Sequence, residues 1–180
     1  MKKLTSFITL LCLLCLHHIQ ANEHNLVTKI FQQSYNQDYH PLTCTDNIMA
    51  LGQRLIGQGI NPKRIRVLFL RHKHAPYVAI HPLKQRLTFQ DNIYSPSSWT
   101  FHSVLILGND VLDLDYTDKP TMITIANYFD NMWSLEEREQ MIGEVKPFSQ
   151  YSKADFGGRF SRPVQPPQAL NLLIENLQLD

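Results

Sequence analysis

The spacing of apolar positions divides this chain into helical stretches at its two ends and extended stretches between them. In "NLVTKIFQQSYN", residues 25–36, Leu26, Ile30 and Phe31 recur at helical intervals and predict a short helix. "QDYHPLTC" follows as a polar approach, in which Pro41 biases His40 toward extended backbone. Helical spacing returns in "CTDNIMALGQRLIGQGINP" with Ile48, Leu51 and Leu55. Asp46 suits the first turn of that helix, and Gly57, Gly59 and Pro62 mark its end. Thr43 is the expected N-cap, which sets Cys44 in the first turn.

The pattern then becomes β-branched and aromatic. "RIRVLFLR" and "PYVAIH" read as strands, and "LKQRLTFQDNIYSPSS" as a connection with room for one more short strand. "WTFHSVLIL" and "DVLDLD" read as two strands joined by a tight turn at Gly108-Asn109. From Thr121 to Trp133 the pattern turns helical after its first residues. Ser134 with Glu137 forms a capping box for a further helix to about Ile142. Residues 146–167 read as irregular and proline-bearing, and "QALNLLIENLQ" closes the chain as a helix. Helices, then antiparallel strands, then helices give an α+β domain.

The N-terminus carries a different pattern. Lys2 and Lys3 precede a mostly apolar run from Leu4 to Leu16, and Ile19-Gln20-Ala21 offers a small residue for cleavage. This is the layout of a secretory signal over residues 1–21, too short for a stable membrane anchor. The expected location is therefore periplasmic or extracellular. Removing 21 of the 180 residues leaves 159, residues 22–180, enough for one domain with its own core. Losing both lysines takes the formal charge from +1 to −1. No basic footprint for nucleic acid is left, and no second span suggests stable membrane insertion.

The cysteine count changes the picture most. Cys12 and Cys15 leave with the signal, so the mature chain keeps Cys44 alone and has no internal disulfide. A thiol at a helix start meets the positive end of the helix dipole and free backbone N–H groups, which favour a thiolate and the oxyanion of an attacked carbonyl. A histidine within reach can take its proton, and an acid beyond can fix the ring's tautomer. His102 supplies the base. Asp113 and Asp115 share a face of the following strand, and spacing alone leaves either able to reach His102 across the turn.

Other clusters carry less. His72 and His74 in "RHKHAP" could share a face around a metal, but Arg71 and Lys73 flank them and no third ligand lies near. "DLDYTD" lacks the glycine and distal glutamate of a calcium loop. Trp99, Tyr116, Tyr128, Phe129 and Trp133 read as core, with Trp99 also placed to wall a cleft beside His102. "PVQPP" at 163–167 is too short to define a partner.

Three segments together resemble the catalytic segments of protein N-terminal glutamine amidohydrolases. They are Cys44 with Asn47 and Ile48, Trp99 with Phe101 and His102, and Leu112-Asp113-Leu114-Asp115. The resemblance runs from about residue 39 to residue 133, more faintly through "VKPFSQY". It implies a papain/transglutaminase-like fold, with the nucleophile at a helix start packed on an antiparallel sheet. It further implies Cys44 as nucleophile, His102 as base and acid, and Asp113 as the orienting acid, with Asp115 second choice. Asn47, Trp99 and Asp115 become candidate substrate contacts, and no cofactor or metal is called for.

Two positions depart from the family pattern. Thr100 replaces an acidic residue, and Met49 stands where a tryptophan is common. The family is also usually intracellular, whereas this chain carries an export pattern. The expected substrate is a peptide or protein bearing glutamine, N-terminal or internal, deamidated to glutamate with release of ammonia. A cysteine peptidase, a transglutaminase, or an inactive exported binding protein on the same scaffold are the alternatives.

Overall fold

A strand with apolar residues on both of its faces must be covered twice, and the central strands here are of that kind. The computed structural model describes residues 21–41, 43–84, 86, 98–151 and 168–179. Helix α1 spans residues 21–37 and α2 spans Cys44–Gly57. Strands β1 (Ile65–His72), β2 (Phe101–Leu107), β3 (Asp110–Leu112) and β4 (Ile123–Thr124) follow. Then come α3 (Ile125–Met132), α4 (Leu135–Gln140), β5 (Met141–Pro147), β6 (Gln168–Ala169) and α5 (Leu170–Leu179). The strands form one sheet in the order β4-β3-β2-β1-β5-β6, and each neighbouring pair is antiparallel. The α+β class expected from the order of elements is the observed one.

Period-two alternation sorts the core into two layers. Ile65 and Val67 of β1, with Leu105 and Leu107 of β2, face Val27, Ile30 and Phe31 of α1 and Ile48, Leu51 and Leu55 of α2. Leu68, Leu70, Val104 and Ile106 point the other way, toward Ile125, Phe129 and Met132 of α3 and Leu170 and Leu173 of α5. Burying a Leu or Ile side chain fully stabilises the fold by about 1.5–3 kcal/mol. Gly52 lets the ring of Phe148, just past β5, lie directly against α2, because a Cβ there would collide with it.

The β2–β3 turn forms where expected. Leu107 pairs with Asp110, and Gly108 takes a φ of 61°, a conformation glycine adopts without steric cost. Ser134 caps α4 by accepting from Glu137 N at 3.1 Å. Thr43 sits at the N-cap of α2 without capping it, because its hydroxyl donates to His40 O at 2.9 Å instead.

Several expected elements differ. "PYVAIH" is not a strand: only Ile80 pairs, in a single bridge with Trp99, while Tyr77 is 94% exposed. Among the described residues, no strand pairs with the rest of the run. The helix after Ser134 ends at Gln140, and Met141 opens β5, which pairs with β1 along its whole length. Gly143, Glu144 and Lys146 had hidden this strand by diluting its apolar pattern. "DVLDLD" is extended only to Leu112. The signal segment, apart from Ala21, lies outside the described residues, as do "PVQPP" and most of the 83–98 connection. Ala21 itself is helical.

Candidate active site

His102 stands near the start of β2, on the face that carries Val104 and Ile106, and is 1% exposed. Continuing the ladder beyond Leu105↔Leu112 would set Asp113 opposite Val104 and Asp115 opposite His102. The chain leaves the ladder before that. Asp113 Oδ1 accepts the backbone N–H of Asp115 at 2.8 Å, a side-chain turn that pulls both acids out of line. Asp113 Oδ2 then meets His102 Nε2 at 2.9 Å. Asp113 is therefore the acid that holds His102.

The thiol of Cys44 lies close enough to the same ring to raise its pKa. Since Nε2 is engaged by Asp113, Nδ1 is the nitrogen left for sulfur. Cys44 is half-buried at the first position of α2, so the thiol remains within reach of solvent. Burial pushes the His102 imidazolium down, but the Asp113 charge, its hydrogen bond and Cys44 outweigh that and hold it well above the ordinary 6.5. His102 thus lies buried between an acid and a thiol, in surroundings that favour its protonated form once it has taken a proton.

Around this line lies a layer of rings. Trp99 stacks on His102 with centroids 4.1 Å apart and meets Trp133 edge-on at 5.8 Å. It thus lies beside His102, packed within this layer of rings. Tyr128 of α3, wholly buried, donates to Asp113 Oδ2 at 2.8 Å. Tyr39, in the approach to α2, donates to Asp115 Oδ1 at 2.5 Å. The Arg86 guanidinium is sandwiched between Tyr35 and Tyr39, 3.8 and 3.9 Å from their ring centroids. Arg86 also donates its backbone N–H to Asp115 O at 2.6 Å. Burial and the Asp113 charge push Asp115 up to about 6, against His102, Tyr39 and Arg86.

Asn47, the third candidate contact, is 1% exposed. Its Oδ1 accepts His40 N at 3.0 Å and its Nδ2 donates to His40 O at 2.8 Å. Both ends of the amide are therefore spent on the approach segment, and Asn47 orients the chain leading into Cys44. Asp115, at 7% exposure and held by Tyr39, likewise offers little surface to a ligand.

Ligand atoms of His102, Asp113 and Asp115 lie within 4.8 Å of one another, the spacing of a metal site. Three of these atoms already hold hydrogen bonds: His102 Nε2, Asp113 Oδ2 and Asp115 Oδ1. A cation would have to break that network, so the trio fits a proton-holding role better. His72 and His74 form no metal pair: His72 Nδ1 accepts the backbone N–H of His74 at 3.0 Å. No protein-family model matches the chain, and no curated protein matches it.

Sequence reasoning missed Tyr39, Arg86 and the role of Tyr128. One signal was present. Ile125, Tyr128, Phe129 and Met132 form the buried stripe of α3, and a tyrosine on an apolar stripe must find a partner for its hydroxyl. Tyr39 and Arg86 stand in polar segments whose spacing carries no such signal.

Proposed function

We propose that this chain is an exported thiol amidohydrolase that deamidates glutamine in peptides or proteins, on a papain/transglutaminase-like scaffold. The observation that carries this reading is the buried His102, bonded to Asp113 through Nε2 and with the Cys44 thiol at the start of α2 near enough to influence the ring. The resemblance of the three segments to N-terminal glutamine amidohydrolases supports the choice of substrate, and the apolar segment after Lys2 and Lys3 supports export. No helix among the described residues is long and apolar enough to cross a membrane.

The chemistry follows from the positions of the three groups. His102 takes the proton of Cys44, and the sulfur attacks the carboxamide carbon of glutamine. The backbone N–H groups at the start of α2, beside Cys44, are the donors this reading assigns to the developing oxyanion. As the tetrahedral intermediate collapses, the C–N bond breaks and His102 returns its proton to the leaving nitrogen, releasing ammonia. His102 then takes a proton from water, whose oxygen attacks the thioester. Glutamate leaves, and Cys44 recovers its proton from His102. Asp113 holds Nε2 and so keeps Nδ1 turned toward sulfur.

Ammonia release and product mass test this on paired peptides, one with N-terminal and one with internal glutamine. Wild-type protein releases ammonia with a mass gain of about 1 Da in the peptide, and Cys44→Ala and His102→Ala each lose at least about 10³-fold in rate. The preferred peptide identifies the substrate class. Cleaved backbones would make the chain a peptidase. Inert peptides together with ordinary thiol reactivity would refute an activated site.

A further inference from the structure

One carboxylate in this molecule is held by more donors than a nucleophile–base–acid line requires. Asp113 Oδ2 receives both His102 Nε2 at 2.9 Å and the Tyr128 hydroxyl at 2.8 Å, and Oδ1 receives Asp115 N at 2.8 Å. We propose that Tyr128 is a positioning residue of the Cys44–His102–Asp113 site, its hydroxyl fixing the Asp113 carboxylate and moderating how tightly His102 holds its proton. The proposal rests on the amidohydrolase reading and concerns a residue outside the three segments that carried it.

Tyr128 has 0% exposure, so it touches neither substrate nor solvent and acts only through Asp113. Burial and the neighbouring Asp113 charge raise its phenol well above the ordinary 10, which keeps it a donor at every pH where the protein works. The ring is held independently of the hydroxyl, edge-on to Phe129 at 5.3 Å and tilted against Tyr116 at 5.7 Å. A phenylalanine retains those contacts and removes only the bond to Asp113.

Loss of that bond has two consequences. The carboxylate keeps its donors on one side only, so its plane is less well fixed. Its Oδ2 charge, shared with one donor instead of two, binds the imidazolium more strongly. His102 is then slower to give its proton to the leaving nitrogen. Among the described residues, the following charged and titratable groups face the pair. Cys44 from α2 and Asp113 from the turn after β3 face His102. Tyr128 from α3, Tyr116 and Asp115 from the same turn, and Tyr39 from the approach segment face Asp113. Arg86 stands beyond Asp115.

The test is the pH profile of Cys44 alkylation by iodoacetate in the full chain, where the anionic reagent reacts fastest with a thiolate beside an imidazolium. Wild-type protein is expected to give a bell whose alkaline limb marks loss of the His102 proton. In Tyr128→Phe the alkaline limb moves up by about half a unit or more. Turnover on the preferred peptide falls in kcat with KM unchanged. Tyr116→Phe, which removes a neighbouring hydroxyl, overlays the wild type. A folded Tyr128→Phe protein with an unmoved alkaline limb overturns the proposal while leaving the amidohydrolase reading intact. An ordinary thiol profile in the wild type overturns both. If Tyr128→Phe does not fold, proton NMR of the wild type decides. A slowly exchanging Tyr128 hydroxyl proton with a cross-peak to the His102 Nε2 proton supports the proposal, and its absence overturns it.

Discussion

Two buried histidines stand at the same end of the central strands and behave in opposite ways. His72 closes β1 at 7% exposure, and His102 lies near the start of β2 at 1%. Burial penalises the charged form of both rings. His72 meets no compensating acid of comparable strength. After burial, the His74 ring pushes it down further, against a weaker pull from Glu137, and it stays below the ordinary 6.5. His102 meets Asp113 at 2.9 Å and rises well above it. The partner differs as plainly as the value: a carboxylate on His102 Nε2, a backbone N–H on His72 Nδ1.

The largest test of that contrast replaces each ring in turn. His102→Gln is expected to lower turnover on the preferred glutamine peptide by about 10³-fold or more, the scale of a lost acid–base catalyst. His72→Gln should leave turnover within about two-fold, since its nitrogen serves only the local turn. Comparable losses in two folded variants would remove the distinction. Steady-state rates, with circular dichroism as a folding control, are sufficient.

A sharper test makes His102 resemble His72. Asp113→Asn keeps the shape but removes the charge, so burial of His102 is opposed by Cys44 without the Asp113 charge, and its imidazolium is pushed down. Turnover should drop by about 10²–10⁴-fold, and the alkaline limb of the Cys44 alkylation profile should move to lower pH. An alkaline limb that stays in place would mean that something other than Asp113 holds the charge on His102.

Stability should separate the two rings by pH window. The folded value of His102 lies above 6.5, so its contribution is complete below 6.5 and is lost as pH rises through the folded value. The folded value of His72 lies below 6.5, so its contribution is complete above 6.5 and is lost as pH falls. Urea midpoints of His102→Gln and His72→Gln, each against wild type, should therefore diverge on opposite sides of pH 6.5. Divergence in the same window would contradict the assignment.

The smallest expected effect concerns the second acid. Asp115 binds its proton up to about pH 6 when folded against 3.8 unfolded, so its ionisation costs the folded state stability as pH rises between those values. Asp115→Asn keeps an oxygen for Tyr39 and should abolish that decline, leaving the variant more stable than wild type near pH 7 by at most a few kcal/mol. A variant less stable at pH 7 than at pH 4, relative to wild type, would mean that the charge of Asp115 is itself needed.

How much of this was readable beforehand varies with the range of the interactions involved. Helix α2 and its cysteine were legible because Ile48, Leu51 and Leu55 repeat locally and Gly57 and Gly59 punctuate the end. The β2–β3 turn was legible in Gly108-Asn109 for the same reason. Strand β5 was not, because Glu144 and Lys146 pair with each other at 3.1 Å and sit largely covered in the sheet, where a polar run looks like a loop. Thr43 had the right residue type for a cap, yet its hydroxyl found His40 O closer at hand.

The candidate site divides along the same line. The sequence by itself determined which groups were available: one thiol at a helix start, one histidine on an apolar strand, two acids two residues apart, and the turn that folds the acids back toward the histidine. Each is a matter of residue type and spacing over a few positions. The tertiary structure alone decided which acid serves His102, since the chain leaves the β3 ladder after Leu112 and turns on the Asp113 side chain. It also decided that Tyr128, 15 residues further on, closes the carboxylate from above, and that Tyr39, 76 residues upstream of Asp115, holds the other acid. Such contacts depend on how three layers pack. Local periodicity fixes which face a side chain takes, and only the packing of the layers fixes what it meets there.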